Sequence, residues 1–429
     1  MTDTIYTGVP GADIVVIGGG FAGLHSASEL ADAGHRVLVL ESGDRLMARA
    51  SRNNLGRIHH GWHYPGDPAT AHTCVDASFG FLEQFADLLL GRPDGVPGAQ
   101  TGWCILASGS FIDPVPWLAR AEELRAHYAA QHFRHNRTFG PPEQFFQLLA
   151  PMQWGRWFAP ERVQYAASTL EPFVDLAALA QRVIARVHAR SRIQVRTGHA
   201  VRDARPLGQP EAPDGFELAI ARRDGGPAYT LRARQVVNAS WTSRLALDRR
   251  VATRCAMPLP DAVMTFRLKT YLHIRLPHRL SALPSYVFIQ GPFTAFTNLA
   301  DGTGLLSYAP VSNHSQASGA LPHDWDRLLT GDFSQSERAE CAGRTLLGAD
   351  RFVPGIAASE VLDVRASTLC NPGSVNIYDP RSSVHHRRGL GVEHTTDRWL
   401  SIDTGKLSWV PQLAHQIVET IGKERITSL

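Results

Sequence analysis

The segment from Ser51 to Pro65, SRNNLGRIHHGWHYP, concentrates side chains that can do chemistry. It holds three histidines, two asparagines, two arginines, a tryptophan and a tyrosine. Among them, His59, His60 and Tyr64 can take or give a proton, and an unperturbed histidine titrates near neutral pH. Groups that suit phosphate and polar ring atoms come just before, at Ser51, Arg52, Asn53 and Asn54. These residue types predict the wall of an active site.

Two other interpretations of this segment have to be weighed. A metal site would need His59, His60 and His63 to converge, but adjacent histidines usually point apart and no carboxylate lies between them. We therefore predict no metal. A solvated connecting loop without a chemical role is the second alternative, and it stays open for any single histidine.

A nucleotide-binding pattern precedes the segment. Residues 13–17, DIVVI, predict a buried parallel strand, and residues 36–41, RVLVLE, predict a second strand after a helix. Between them, Gly18, Gly20 and Gly23 form the GxGxxG motif. The first glycine allows a tight turn, the second lets the backbone approach a pyrophosphate, and the third permits close packing of helix and strand.

The helix that follows the glycines should bind a phosphate at its N-terminus. Unpaired N–H groups at Phe21 and Ala22 carry partial positive charge there. Glu41 ends the second strand, where a carboxylate accepts both ribose hydroxyl hydrogens of an adenosine and repels a 2′-phosphate. The ligand is therefore FAD or NAD rather than NADP. The single motif close to the start of a 429-residue chain favours FAD.

The sequence from Asp13 to Glu41 resembles the N-terminus of the D-amino-acid-oxidase superfamily of FAD-dependent oxidoreductases. The region after it is similar to the L-2-hydroxyglutarate oxidase-like branch, on Asn54 and Gly56, the stretch IHHGWHY at residues 58–64, and Cys74. The resemblance is strong over the first 75 residues and vague over about 90–160 and 255–350. This resemblance implies further site residues.

The resemblance implies that residues 51–54 run along the flavin and that His59, His60 and Tyr64 lie near the flavin or the substrate. The stretch VVNASW at 236–241 is similar to the family strand that returns beneath the flavin. The predicted cofactor contacts are completed by Ser42, Val201 and Ala239. Some relatives bind flavin covalently through histidine, which stays an alternative beside the noncovalent branch.

Two further positions are candidates near the reacting atoms. The stretch LSIDTGKLS at 400–408 stands where the family has a glycine-rich signature. Gly405 would place a helix N-terminus at the pyrimidine edge of the flavin. Lys406 would add a positive charge there, which stabilises reduced flavin. Arg365 would anchor a substrate carboxylate, a task that suits a planar bidentate donor. A solvated lysine and a surface ion pair are the respective alternatives.

Composition limits the other classes of function. The chain is 44% hydrophobic and 19% charged, with a net charge of +3 and a pI near 8.6, which is too weakly basic to predict nucleic-acid binding. We find no membrane span and no signal peptide. The five cysteines are scattered, so we predict reduced thiols in the cytoplasm, and the arginine-rich composition favours a bacterial source.

The pattern of elements predicts an α/β fold with two domains. A Rossmann-type FAD-binding domain would comprise residues 1–90, 160–250 and 350–429. A substrate domain with a largely antiparallel sheet would comprise 91–159 and 251–349. Helices are predicted over 79–90, 116–131 and 174–189, and a hairpin that turns at 224–226.

These observations predict a flavoenzyme that removes a hydride and a proton from a CH–NH or CH–OH carbon of a small amino-acid-like or 2-hydroxy-acid-like substrate. FAD would accept the hydride, and oxygen or another acceptor would reoxidise it. One alternative is a tailoring oxidase of secondary metabolism with a larger substrate and an aromatic pocket built from residues 154–158. Another is a dinucleotide-binding protein without turnover. Disulfide reductases are disfavoured because there is no CxxxxC and no second dinucleotide motif.

Overall fold

The computed structural model describes residues 12–91, 101–135, 140–259, 263–373, 375–385 and 391–427. The strands are Ile14–Ile17 (β1), Val37–Glu41 (β2), Thr101–Ala107 (β3), Phe146–Leu148 (β4), Val163–Pro172 (β5), Ile193–Thr197 (β6), His199–Gln209 (β7), Ala212–Arg222 (β8), Tyr229–Ala233 (β9), Gln235–Asn238 (β10), Met264–Arg275 (β11), Tyr286–Ile289 (β12), Thr294–Asn298 (β13), Thr303–Tyr308 (β14), Asn313–Ser318 (β15), Glu360–Pro372 (β16), Gly391–Thr396 (β17) and Trp399–Asp403 (β18). The helices are Phe21–Asp32 (α1), Pro68–Phe85 (α2), Pro114–His135 (α3), Pro151–Trp154 (α4), Leu176–His188 (α5), Arg244–Arg254 (α6), Ala309–Ser312 (α7), Trp325–Leu329 (α8), Gln335–Asp350 (α9) and Val410–Thr427 (α10).

A six-stranded sheet carries the nucleotide-binding pattern, in the order β17-β18-β10-β1-β2-β6. All neighbours are parallel except β17 and β18. Val16 and Val39 pack on one face with α1, α5 and α10, whereas Val15 and Leu38 pack on the other with α6 and the small sheet β7-β8-β9. Because both faces are covered, β1 is apolar throughout and β2 is apolar up to its terminal Glu41, as the sequence predicts.

A nine-stranded sheet forms the second layer, in the order β15-β11-β14-β13-β12-β3-β5-β4 with β16 also paired to β11. It is antiparallel except where β12 runs parallel to β3. β11 pairs with β14, β15 and β16. One face of this sheet packs on α8 and α9. The other face looks toward the end of the six-stranded sheet at which β1 and β2 terminate.

The predicted α/β class, with a parallel and a largely antiparallel sheet, is confirmed. Two strands depart from the predicted division of the chain: β5 and β16 lie in the nine-stranded sheet, although their residues fall in the ranges 160–250 and 350–429 assigned to the FAD-binding domain. The stretch IQVRTGHAV at 193–201 has the pattern of one strand, but it is broken at Gly198, whose φ is 73°: β6 ends before this glycine, and β7 begins after it in a different sheet.

Helix boundaries follow local capping. α5 begins where Asp175 accepts hydrogen bonds from the N–H groups of Ala177 and Ala178, close to the predicted start at 174. α2 begins at Pro68, eleven residues before the predicted start at 79, because Asp67 caps it and the proline occupies the first turn. The hairpin turn at 224–226 is present between β8 and β9.

Within the described ranges, no helix combines the length and the apolar character needed to cross a membrane. All five cysteines are buried, and none of them is in a disulfide bond.

Candidate active site

A long cleft of about 1400 Å³ runs between the two large sheets. Its walls come from the turn after β1, the segment 41–64, the exposed face of β11 and β16, and the loop before α10. Most residues predicted from the sequence line it: Gly18, Gly20, Phe21, Ala22, Glu41, Ser42, Ser51, Arg52, Asn53, Asn54, His59, Tyr64, Val201, Ala239, Arg365, Gly405 and Lys406. Gly23 and His60 are not among the lining residues.

The glycine turn after β1 is packed too closely for side chains. A Cβ on Gly18 would lie 2.5 Å from the carbonyl oxygen of Ala239, and its φ of 111° favours glycine in any case. A Cβ on Gly23 would lie 1.9 Å from the carbonyl oxygen of Gly18. Gly23 therefore serves helix–strand packing rather than cofactor contact, which explains why it does not line the cleft.

The N-terminus of α1 opens into the cleft. Gly20 is the N-cap and offers no side chain to the first N–H groups, and Ser51 Oγ accepts a hydrogen bond from Phe21 N at 2.9 Å. This end of the helix has the partial positive charge that an anion requires. At the tip of β2, the carboxylate of Glu41 accepts from Gly19 N and Gly43 N, each at 2.6 Å.

The segment 51–64 is held by its own polar groups. Asn54 Oδ1 accepts from Gly56 N at 2.7 Å, and Asn54 Nδ2 donates to the carbonyl oxygen of Ala50 at 3.0 Å. Asn53 Nδ2 donates to the carbonyl oxygen of Ala366 at 3.1 Å, which ties the segment to β16. The two asparagines thus fix the shape of the cleft wall.

His60 is placed differently from the prediction. Its side chain is fully buried, stacks on Phe145 with ring centroids 5.4 Å apart and contacts Tyr128 at 6.0 Å. Burial without a charged partner lowers its pKa to about 3. The physical reason for the correction is that adjacent residues of an extended segment point to opposite sides, so that His59 faces the cleft and His60 faces the core.

His59, Tyr64 and Lys406 come together, although Lys406 is 347 residues from His59. Lys406 Nζ lies 3.3 Å from His59 Nε2 and 4.8 Å from the centroid of the Tyr64 ring. Gly405, with φ of 53°, turns the chain so that Lys406 reaches this position. The cluster therefore joins an imidazole, a lysine side chain and a tyrosine ring in one part of the cleft.

Sequence reasoning missed a buried acid behind this cluster. Glu171, on β5, is fully buried; its Oε1 lies 2.7 Å from Arg57 Nη1 and 4.0 Å from His59 Nδ1. Among the described residues, His59, His63 and Glu171 form one group whose potential ligand atoms lie within 4.8 Å of one another. The cations Arg57 and Lys406 adjoin this group and oppose a third positive charge. The absence of a metal stays a prediction.

The face of β11 that looks into the cleft was also missed. Arg267, Lys269 and Tyr271 alternate along it and line the cleft. Arg267 is buried, and its guanidinium donates to Asn313 Oδ1 at 3.0 Å and to Asn371 Oδ1 at 3.2 Å. The alternation of polar residues was readable in RLKTY at 267–271, but a strand with one solvated face has the same pattern.

Arg365, on β16, lines the cleft, but its guanidinium contacts the neighbouring side chains of Asp363 and His273. Its Nε donates to Asp363 Oδ2 at 3.2 Å, and its Nη2 lies 3.2 Å from His273 Nδ1. The ion-pair alternative considered for this residue is therefore present in the structure.

Backbone strain is concentrated along the cleft. Met47, Trp241 and Gln290 line it and have positive φ angles of 57°, 54° and 56°. Positive φ is uncommon for residues other than glycine and tends to persist at functional sites. The aromatic stretch 154–158, by contrast, does not line the cleft, because Trp154, Trp157 and Phe158 are buried in the core of the nine-stranded layer.

Residues 13–340, well over half of the 429-residue chain, match the family described as FAD dependent oxidoreductase. The chain belongs to this family. It is accordingly an FAD-dependent oxidoreductase, and a role without turnover is no longer considered.

Solved structures share the fold of this oxidoreductase. Glycine oxidase from Geobacillus kaustophilus superposes with a TM-score of 0.61 over 96% of this chain and 94% of its own, at 16% identity. L-proline dehydrogenase from P. horikoshii gives a TM-score of 0.63 over 96% and 94%, at 14% identity. At these identities the likeness establishes the fold alone.

Curated relatives match shorter stretches. The FAD-dependent monooxygenase kojA of Aspergillus flavus is 37% identical over 75 residues, 18% of this chain and 18% of its own. (S)-6-hydroxynicotine oxidase of Paenarthrobacter nicotinovorans is 52% identical over 48 residues, 10% of this chain and 11% of its own. The aligned stretches thus span less than a fifth of these relatives.

The residues of the cleft fit FAD. A Cβ at Gly18 would clash with the backbone of Ala239, the start of α1 has no capping side chain at Gly20, and Glu41 presents carboxylate oxygens that can accept from ribose hydroxyls. The same cleft contains His59 and Lys406, whose side chains lie 3.3 Å apart.

Proposed function

We propose that this oxidoreductase removes a hydride and a proton from a CH–NH or CH–OH carbon of a small amino-acid-like or 2-hydroxy-acid-like substrate. Bound FAD supplies the two-electron acceptor, and the product is an imine or a ketone. Oxygen or another acceptor would take the electrons afterwards. We keep a cytoplasmic location and a bacterial source as predictions.

One observation carries the proposal: the contact of 3.3 Å between Lys406 Nζ and His59 Nε2. An ammonium group can only donate hydrogen bonds, so the nitrogen that faces it must offer a lone pair. His59 Nε2 is then unprotonated and ready to accept the proton of the substrate N–H or O–H group. Tyr64, beneath Lys406, would keep the ammonium group in place through its ring face.

We assign the substrate anion to the β11 face. Arg267 is buried and fixed by two amide oxygens, and Lys269 follows on the same side of the strand. A guanidinium held in this way presents a planar fork to a carboxylate. Arg365, which the resemblance suggested for this task, is turned toward Asp363 and His273. We retain it as a secondary candidate at the edge of the cleft.

The cofactor contacts are proposed as predicted from the sequence. Gly20, Phe21 and Ala22 would hold the pyrophosphate, and Glu41 the adenosine ribose, with Ser42 and Val201 beside the adenosine. The ribityl chain and ring edge would lie along Ser51, Arg52, Asn53 and Asn54, with Ala239, Gly405 and Lys406 completing the set.

The test begins with the visible spectrum of the purified protein before and after acid precipitation. Flavin absorption that moves to the supernatant indicates noncovalent FAD, whereas colour left in the pellet indicates a covalent bond. Anaerobic mixing with panels of amino acids and 2-hydroxy acids should then bleach the flavin. We expect His59→Asn to keep FAD but to slow bleaching at least about 100-fold, the usual contribution of a general base. Equal bleaching rates in this variant would refute the assignment.

A larger substrate, as in tailoring oxidases of secondary metabolism, is a second candidate. It is favoured by the cleft volume of about 1400 Å³, which exceeds the range of roughly 300–1000 Å³ of most ligand pockets even though FAD would take a large share. Failure of every small acid to bleach a protein that holds FAD, with bleaching by bulky cyclic amines, would favour this candidate.

A further inference from the structure

We propose that Glu171 is a positioning residue that fixes the Nδ1–H tautomer of His59 and stabilises the imidazolium that forms when His59 accepts the substrate proton. This inference rests on the proposed function, in which His59 is the proton acceptor. It assigns a task to a buried acid that the sequence motifs did not point to.

Glu171 reaches the active site from another sheet. It lies on β5, and its fully buried carboxylate meets the cleft wall at two points: Oε1 accepts from Arg57 Nη1 at 2.7 Å and Oε2 accepts from the backbone N–H of His60 at 2.8 Å. These contacts join residues 114 and 111 positions apart. A single carboxylate therefore holds the side chain of Arg57 and the backbone of His60, one on each side of His59 along the chain.

Arg57 compensates the negative charge of the Glu171 carboxylate in this buried place. A buried carboxyl group without a partner takes up a proton, since burial disfavours its charged form. Arg57 lies 2.7 Å from Glu171 and is itself buried, so that each charge compensates the other. A carboxylate oxygen accepts more than one hydrogen bond, and Oε1 has capacity left for a further donor.

Two independent contacts select the same tautomer of His59. Lys406 Nζ, 3.3 Å from Nε2, requires a lone pair there, which leaves the ring proton on Nδ1. Nδ1 is the nitrogen that faces Glu171 Oε1, at 4.0 Å. A closure of about 1 Å would convert this contact into a hydrogen bond, and such contacts commonly tighten when substrate binds.

The same arrangement determines what happens when the proton moves. The charged or titratable groups around the His59 ring are Glu171, Arg57, Lys406, His63 and Tyr64. In the step itself, the substrate N–H or O–H proton would pass to His59 Nε2 as Lys406 withdraws, and FAD, when bound, would supply the two-electron acceptor for the C–H hydride. His59 then carries a positive charge that Lys406 repels and Glu171 attracts, so that Glu171 offsets the cost of the neighbouring cation.

The experiment compares the Glu171→Gln holoenzyme with wild type, and Glu360→Gln serves as the control. Glu360 pairs with Arg275 on the surface, and neither residue lines the cleft. Long-range nitrogen–proton NMR of protein with ¹⁵N-histidine reads the tautomer and pKa of His59, whose signal is identified by its loss in His59→Asn. We expect the Nδ1–H tautomer in wild type and in the control. In Glu171→Gln the pKa of His59 should fall by about 1 unit or more.

The kinetic readout is the pH profile of flavin bleaching by a substrate found in the panel. The apparent pKa in this profile that belongs to His59 should fall in Glu171→Gln by the same amount as the pKa measured by NMR. The absorption spectrum of the flavin should stay unchanged. A His59 signal with unchanged tautomer and pKa, together with an unchanged pH profile, would overturn the proposal.

Glu171→Gln leaves Arg57 buried without a carboxylate and can therefore fail to fold. A second variant is used in that case. Glu171→Asp keeps the charge beside Arg57 but withdraws it from His59, and a smaller fall in the same pKa is expected; no fall refutes the proposal. The NMR result does not depend on turnover. If His59→Asn bleaches at the wild-type rate, the proposed function fails while the coupling of Glu171 to His59 is judged separately.

Discussion

Replacement of Gly23 by alanine should weaken FAD binding through a backbone clash at the phosphate cradle. The added Cβ would lie 1.9 Å from the carbonyl oxygen of Gly18, whereas ordinary contacts begin at 3.4 Å. The start of α1 must therefore move about 1.5 Å away from β1, the difference between these distances. Overpacking of this kind costs about 1–3 kcal/mol. Loss of one charge-assisted hydrogen bond to the pyrophosphate costs about 1.5–3 kcal/mol, or roughly 10- to 100-fold in affinity.

The assay is titration of apoprotein with FAD, followed by flavin fluorescence, with thermal unfolding measured on the same samples. Gly80→Ala is the matched control: Gly80 also lies in a helix, α2, but a Cβ there meets nothing within 4 Å. It should bind FAD normally and gain up to about 1 kcal/mol of stability from helix propensity. If Gly23→Ala binds FAD as tightly as wild type and unfolds at the same temperature, the packing argument is wrong.

Three further outcomes are expected. Glu41→Gln should lower FAD affinity about tenfold in the same titration, because the hydrogen bonds to ribose lose their charged acceptor; unchanged affinity would remove Glu41 from the adenosine site. Arg267→Lys should raise KM for an acidic substrate at least about tenfold with little change in kcat, whereas Arg365→Lys should have a smaller effect, and the reverse order would reinstate Arg365 as the anchor. Because burial lowers the pKa of His60 to about 3, the unfolded chain binds a proton below about pH 6.5 that the folded chain does not. The stability due to neutral His60 is thus present above that pH and falls by about 1.4 kcal/mol between roughly pH 7.5 and 5.5. Between these two pH values, the free energy of unfolding in urea should fall by about 1.4 kcal/mol less for His60→Phe than for wild type. An equal fall in both proteins would contradict the burial argument.

The sequence predicts best those parts of the fold that local patterning determines. The βαβ unit over 13–41 follows from continuous apolar strands, a glycine turn and a helix, all within a short stretch. Pairing between distant strands is not encoded locally. Nothing within 163–172 indicates that β5 joins β3 and β4 rather than the six-stranded sheet, and β16 pairs with β11 across almost one hundred intervening residues.

The same distinction applies to the active site. The segment 51–64 was recognisable by composition, and most of its predicted members line the cleft. Which of two adjacent histidines faces inward depends on where the segment crosses the core, and so His60 was misplaced. Glu171 and Arg267 were missed because the position of their strands in space comes from long-range pairing, which the local sequence does not indicate.

The location of the cleft walls in the chain has a consequence for biosynthesis. Gly18 lies near the start of the chain, β10 in the middle, and Gly405 and Lys406 near the end, yet all border one cleft. β18 completes the sheet beside β10, and Ile417 of α10 packs in the same core as Leu24 of α1. A nascent chain on the ribosome therefore lacks a complete flavin site until β18, Gly405, Lys406 and α10 have been made. Once these residues have folded, flavin at 100 times its Kd adds about 2.7 kcal/mol of stability. The amount of this enzyme in a cell should accordingly rise and fall with flavin supply.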